Sequence, residues 1–437
     1  MKQKRLFVVI SIIALMPLFG GIVFATNLAS ISNWSFSDSY LVTCGEGKNI
    51  NYTLDEFIEM YKKTGAYYKS IDVSFSLNDL YLAQLDSQLS VQNGIITQYR
   101  QSISQYETQI SYYQNIMDSY AEDSDEWKEA KSNKDTCLIN LQTYESYLNE
   151  ALVQKADIYV QRENYQFIKN NEDILRSQEQ QKKISEIKEK CFSLIVLKEN
   201  YNLANSSVDY NSLLYQISRA NLYQGRATQI DVDYYEAEFM LADNNRESVL
   251  SSYNNLFKHI IRIADISENQ NTGIRFDIKS IREHKLISFD TVYNSFIQND
   301  IKTKQMENNI SIIDGKIDIL DDFYNEQASI LEIENKQKDI AVMELDKWLI
   351  ERRMAINNLY SDYKSKYDAV NLREKKTSAQ YKKYTVALNK HNLGLISGIE
   401  LEEAKLKLRQ SELEAWQALY EYIKAYDAIK LAMLGLI

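Results

Sequence analysis

A single proline and twelve glycines in 437 residues leave this chain few places to reverse direction. Sandwiches and barrels consume turn-forming residues throughout, whereas long helices need almost none. The apolar fraction of 45% and charged fraction of 25% are ordinary, which excludes an obviously disordered chain and a polytopic membrane protein. The few glycine turns are therefore informative. Two of them resemble each other about 170 residues apart: Tyr223-Gln-Gly225-Arg-Ala-Thr228-Gln-Ile-Asp231-Val and Asn392-Leu-Gly394-Leu-Ile-Ser397-Gly-Ile-Glu400-Leu. Each precedes a long helical pattern, so the pair predicts two copies of one helical hairpin. Such repetition suits a scaffold or conduit better than an enzyme pocket.

The rest of the chain follows the same period. Thr53-Leu-Asp-Glu56 opens a short helix, with Thr53 placed to cap it and Glu56 to close the capping box; Gly65 ends it. Tyr99, Ile103, Tyr106, Ile110, Tyr113, Met117 and Tyr120 then alternate spacings of four and three, the stripe of helix-on-helix packing. A polar turn begins after Asp118, and the helical pattern resumes at Cys137 and runs to Gly225, with a break expected near Asn170 or Ser206. A helix from Ile230 to Ile266 would be about 55 Å long. The cycle restarts at Ser288-Phe-Asp-Thr-Val-Tyr293, followed by a stripe from Met306 to Tyr324, a polar stretch over Asn325–Lys336, a helix to His391 and a last helix to about Met433. The expected organisation is 1–25 export segment, 26–52 irregular leader, 53–266 first helical repeat, 267–287 linker and 288–437 second helical repeat. The expected fold class is all-α, built of long antiparallel helical hairpins of coiled-coil type. Helices of this length predict a rod or an open staved tube. The 32 tyrosines fit narrow seams that meet water at their edges, and equally a genome whose codons favour Tyr, Asn, Ile and Lys.

Lys2, Lys4 and Arg5, the apolar run Leu6–Phe24 and the small-residue site Val23-Phe-Ala25 form a secretion signal, to be cleaved before Thr26 or kept as an N-terminal anchor. Removing those three bases takes the formal net charge from -11 to -14, which argues against nucleic acid and anionic lipid as partners. Cys44, Cys137 and Cys191 form no CxxC pair and no disulfide framework, and the last two fall in helical patterns as small core residues.

At each repeated turn a glycine can take positive φ, Thr228 or Ser397 can cap the outgoing helix, and Asp231 or Glu400 falls in its first turn near the positive dipole end. Asp233, Glu402 and Glu403 add negative charge. Two readings stand side by side: ordinary helix capping, or an acidic ring formed by several converging tips.

These turns, together with Leu393 to Ala404 and the final helix ending near Leu434-Gly435, resemble the TolC family of outer-membrane efflux proteins. The order of signal, short helix, long hairpin, linker and repeat extends the resemblance over most of residues 50–437. It implies a trimer whose two repeats per subunit build a hollow helical barrel, with tips docked to a membrane-fusion (adaptor) protein that links to an inner-membrane transporter. By resemblance, Gly225, Arg226, Thr228, Gly394, Leu395 and Ser397 would form the adaptor-docking tips, and Asp231, Glu400 and Glu403 an acidic constriction. Family members also insert two β-hairpins per subunit, which would fall here near Asp118–Ser132 and Asn325–Lys336. Neither stretch shows alternating strands of about 9–11 residues. The expectation is a TolC-like fold without a clear β-barrel, in the outer membrane by resemblance or on the outer face of the cytoplasmic membrane if barrel-less.

No enzyme motif stands out. His259, His284 and His391 share no metal-ligand spacing, and no HExxH, GxSxG or GxxxxGK[ST] occurs. The sequence nominates no catalytic residue, cofactor or metal. The function expected is passive passage through an oligomeric helical tube docked to an adaptor and pump; the alternative is an exported coiled-coil spacer or docking protein with no lumen.

Overall fold

A computed structural model describes residues 33–44, 50–267, 272–323 and 328–437. The export segment, residues 26–32 and 45–49 of the leader, residues 268–271 of the linker, and Tyr324 with the first three residues of the polar stretch lie outside the described residues. The elements are β1 (Ser39–Cys44), β2 (Ile50–Thr53), α1 (Leu54–Thr64), α2 (Ala66–Ser119), α3 (Asp125–Asn170), α4 (Glu172–Tyr223), α5 (Gln229–Ile263), β3 (Thr272–Asp277), α6 (Ile278–Glu283), α7 (Phe289–Asn299), α8 (Ile301–Leu320), α9 (Ala328–Asn392) and α10 (Gly398–Met433). The described chain is almost entirely helical, as its turn-poor composition predicts.

Local chemistry sets the helix limits. The Thr53 N–H donates to Glu56 Oε2 at 2.8 Å while the Glu56 N–H donates to Thr53 Oγ1 at 3.2 Å, the reciprocal box read from the sequence. Ser288 caps α7 through the Thr291 N–H at 3.2 Å, so the restart of the cycle uses the same kind of entry. The expected break falls after Asn170: the Asn171 side chain donates to the Phe167 carbonyl at 2.9 Å, while α4 runs unbroken through Ser206. At the far end of α5 the Ile266 N–H reaches the Ile261 carbonyl at 2.9 Å and the Asp265 N–H the Arg262 carbonyl at 3.1 Å, with Asp265 at φ +56°. This crossed pair satisfies carbonyls that the helix leaves without partners.

The chain packs as two compact units, each discontinuous in sequence and each drawing on both repeats. One comprises residues 33–37, Lys198–Leu250 and Val370–Gln417; the other comprises Asp38–Leu197, Ser251–Ala369 and Ala418–Ile437.

In the second of these units, α2 and α3 pack as an antiparallel hairpin. Ile96, Ile103, Leu148, Ala151 and Leu152 form its buried core, flanked by Tyr99, Leu141 and Tyr144. Tyrosine rings line the seam: Tyr99 meets Tyr144 at 6.1 Å and Tyr147 at 5.8 Å, and Tyr106 meets Tyr144 at 5.6 Å. Such rings combine an apolar face with a polar hydroxyl, which suits a seam bordered by water. One edge carries an ion-pair ladder with heptad spacing: Asp72 with Arg176, Asp79 with Lys169 at 2.8 Å, and Asp86 with Arg162 at 2.7 Å. Both series step by seven in opposite senses, and the ladder continues past the Asn171 break. The hairpin accepts α8, where a Cβ on Gly315 would stand 2.7 Å from Tyr159 Cε1; only glycine allows that approach.

The same unit holds one correction to the sequence reading. The stretches expected to be an irregular leader and a linker pair as a three-stranded sheet of order β1-β3-β2. β1 runs antiparallel to β3, with Ser39 opposite Asp277 and Cys44 opposite Thr272, and β2 runs parallel to it, with Ile50 opposite Thr272. Val42, Ile274 and Phe276 are buried, and Phe276 meets Phe192 of α4 at 4.9 Å. Tyr253 of α5 donates its hydroxyl to the Thr43 carbonyl at 2.7 Å and accepts from the Thr43 N–H at 3.0 Å. These strands of four to six residues are too short for their alternation to show in sequence, and their pairing spans more than 200 residues.

Between α2 and α3 the described chain makes a helix–turn–helix, and α9 begins at Ala328; neither position where the family inserts a hairpin shows a strand among the described residues.

Asp265→Gly should raise stability by about 0.5–1 kcal/mol, because a Cβ at positive φ is strained there and glycine is not; thermal unfolding measures it. A double-mutant cycle on Asp79→Ala and Lys169→Ala should return a coupling of only about 0.5 kcal/mol, as for other exposed pairs. Charge reversal of Asp72, Asp79 and Asp86 together should cost more than the sum of single removals, because it places like charges along the whole edge.

Candidate functional site

The two repeated turns lie in the other compact unit. At the first, α4 ends with Gly225 at φ +67°; the Arg226 N–H donates to the Asn221 carbonyl at 2.8 Å and the Gly225 N–H to the Leu222 carbonyl at 2.9 Å. At the second, α9 ends with Gly394 at φ +72°; the Leu395 N–H donates to the Lys390 carbonyl at 2.8 Å and the Gly394 N–H to the His391 carbonyl at 2.8 Å. Both are closures of the same type, with glycine at the left-handed position where any Cβ is strained.

The outgoing helices match as closely. The Thr228 N–H and hydroxyl both donate to Asp231 Oδ2 at 2.8 Å, and the Asp231 N–H donates back to Thr228 Oγ1 at 3.3 Å. The Ser397 N–H and hydroxyl donate to Glu400 Oε2 at 2.8 and 2.9 Å, and the Glu400 N–H donates to Ser397 Oγ at 3.3 Å. The turns therefore share one register, Gly-x-x-Thr/Ser-x-x-Asp/Glu. The Thr228 backbone N–H, then its hydroxyl, holds the Asp231 carboxyl below the usual carboxylate range. The Ser397 N–H, then its hydroxyl, then the charge of Lys390 does the same for Glu400.

Asp231 and Glu400 are thus each engaged in their own cap. Glu403 pairs with Lys407 along α10, and Asp233 accepts from Gln229 at 2.7 Å. Lys405 bridges Glu402 on its own helix and Asp209 on α4, both at 3.1 Å, which ties the second hairpin to the first. Gly398 lies against Leu213 of α4, with 3.8 Å left for a Cβ. Deeper in this unit Tyr215 donates to Glu236 at 3.0 Å and stacks on Phe239. Thr377 and Ser411, both buried, lie 2.9 Å apart through their hydroxyls.

Sequence reasoning picked out the glycines, caps and acids of the tips but passed over their apolar surface. Tyr223 is 84% exposed, Ile230 78%, Leu393 64% and Leu395 55%. All four border a glycine turn, where the helical register ends and no seam can take them in. That position was the available signal. Arg226 is exposed between them.

No group of three or more His, Cys, Asp or Glu side chains among the described residues could hold a metal ion. His259 sits 3.2 Å from Lys190 Nζ and His284 stacks on Tyr426, so the three histidines serve separate places. Cys137 and Cys191 are buried free thiols, and burial pushes the Cys191 thiol up.

No sequence-family model and no curated protein matches the chain. Solved structures do. The Campylobacter jejuni CmeC outer membrane channel is similar at 10% identity and a TM-score of 0.50, over 87% of this chain and 85% of that one. CusC matches at 9% identity and a TM-score of 0.48, over 90% and 95%. The outer membrane protein VceC from Vibrio cholerae matches at 10% and 0.41, over 87% and 96%. The likeness to the first shows the fold alone. It is the TolC-type fold that the paired turns resemble.

The lowered carboxyl values of Asp231 and Glu400 link stability to pH. A depressed acid contributes above its unfolded value and loses that contribution as pH falls through its folded value. The melting-temperature gap between the wild type and the Thr228→Ala/Ser397→Ala double variant should therefore be widest near neutrality and narrow below about pH 4. A gap independent of pH would show that the carboxylates take no part in the caps.

Proposed function

We propose that this chain is an exported docking protein of the cell envelope, built on a TolC-type fold and doing no covalent chemistry. The observation that supports the reading is the pair of identically closed turns with exposed Tyr223, Ile230, Leu393 and Leu395. A tip whose backbone polar groups are satisfied internally is rigid, and four large apolar side chains held on it form a surface that association would cover. Gly225, Arg226, Thr228, Gly394, Leu395 and Ser397 are the adaptor-facing residues in this reading. The partner is a membrane-fusion protein whose own helical hairpin meets the tips and joins them to an inner-membrane transporter.

A second reading, a passive conduit through an oligomeric tube, has a specific observation in its favour. Val73, Leu77, Leu80 and Val91 of α2 are exposed at heptad-compatible spacing, as are Ile333, Ile340, Met343, Ile350 and Met354 of α9. Two apolar stripes on different helices of one chain would be covered by the next copy in a closed ring, a trimer by family resemblance. Asp231, Glu400 and Glu403 would then be the groups that draw cations to a narrow mouth. No helix among the described residues is long and apolar enough to cross a membrane.

The test is a photo-crosslinker placed at Leu395 in cells, with mass spectrometry of the product and mass measurement of the complex in mild detergent. Crosslinks to a protein carrying a long helical hairpin flanked by β-rich domains, lost in a Tyr223→Ser/Leu393→Ser variant with an unchanged melting temperature, are expected. Crosslinks unaffected by that variant would sink the docking reading. A closed oligomer with a lumen that Ile340→Glu/Ile350→Glu converts to monomer would establish the conduit; a monomeric wild type would remove it.

A further inference from the structure

In the unit that holds the sheet, a cavity of about 650 Å³ lies between β3, the first turn of α1, α4, α6 and α10. That volume suits a small organic molecule. One wall is aromatic: the His284 ring stacks on Tyr426 at 5.0 Å with an interplanar angle of 20°. The Phe192–Phe276 ring pair contributes apolar surface beside it.

Two charged groups of this cavity make no close bond of their own. Asp427 and Lys188 are half-buried in the same lining, and neither forms a hydrogen bond or ion pair among the described residues. Burial pushes the Asp427 carboxyl up, against the lowering effects of the Lys188 and Lys430 charges. At the rim Asp55, Arg275 and Asp277 are exposed, and Asp277 is engaged in capping α6 at Ser280.

A half-buried acid, a half-buried base and a ring-lined wall have one common complement. A purely anionic ligand would leave Asp427 unmet and face two rim carboxylates. A purely cationic one would meet Lys188. We propose that this cavity binds a small aromatic zwitterion, with its ammonium group at Asp427, its carboxylate at Lys188 and its ring along His284 and Tyr426. The site shares no residue with the tips, and its occupancy does not depend on either reading of the protein's function.

The test is calorimetric titration of the full-length protein with L-tryptophan, with tryptamine as the probe lacking the carboxylate and indole-3-propionate as the probe lacking the amine. Saturable tryptophan binding is expected, weaker by about tenfold or more for each single-charge probe, because a site built for two polar groups rejects a ligand that leaves one unpaired. Asp427→Asn and Lys188→Met should each weaken tryptophan binding by about tenfold as well. Both variants should melt no lower than the wild type, since neither side chain makes a hydrogen bond or ion pair within the fold; this separates loss of the site from loss of the fold. Absence of saturable tryptophan binding to the wild type overturns the proposal. So does binding that Asp427→Asn and Lys188→Met leave unchanged, or equal affinity for either single-charge probe.

Discussion

Every long helix ends with backbone groups that have no partner inside it, and this structure depends on how those ends are closed. A chain with one proline and twelve glycines has few devices available. It uses one closure repeatedly: a residue at positive φ, with a six-residue bond crossing a shorter one. The closure recurs at Gly225, Gly394 and Gly435, and with a strained aspartate at Asp265. At Gly225 and Gly394 a hydroxyl cap with its carboxylate follows. The Gly435 turn leans on Asn299 and Gln178, but the other two glycine turns satisfy themselves without support from elsewhere in the fold. That independence leaves Tyr223, Ile230, Leu393 and Leu395 outside any seam and makes them a surface.

Between the closures, the helices are held by side chains with one apolar and one polar end. Tyr99, Tyr106, Tyr144 and Tyr147 fill the α2–α3 seam, where an all-aliphatic stripe would bury more but fix less. The ladder of Asp72, Asp79 and Asp86 against Arg176, Lys169 and Arg162 contributes little free energy, since these pairs face water. Its value lies in register: a slip of one heptad would pair Asp72 with Lys169 but strand an ion at each end, and any smaller slip breaks the set.

Polar groups that the fold does not satisfy mark a different kind of place. At the tips, Asp231 and Glu400 each close their own cap, and large apolar side chains stand exposed beside Arg226. In the cavity beside the sheet, Asp427 and Lys188 form no hydrogen bond or ion pair among the described residues and stand next to a ring-lined wall.

Much of this was legible in the residues themselves. Turn scarcity, heptad stripes and the Gly-x-x-Thr/Ser-x-x-Asp/Glu signature determine long helices, their ends and the existence of two related hairpins, because helical period and capping are local: a residue's neighbours within one turn suffice. The capping box at Thr53 and the break at Asn171 follow from the same local rules. What only the tertiary structure decided is everything that joins distant segments. The sheet that pairs Ser39 with Asp277 makes an ordered layer of two stretches that look irregular, because a short strand has no identity until another strand completes its hydrogen bonds. The same holds for the charge ladder, for the bond from Lys405 to Asp209 and for the cavity at Asp427, whose walls come from segments more than 200 residues apart. Periodicity says which face of a helix is apolar; only packing says which other face it meets, and which side chains are left without one.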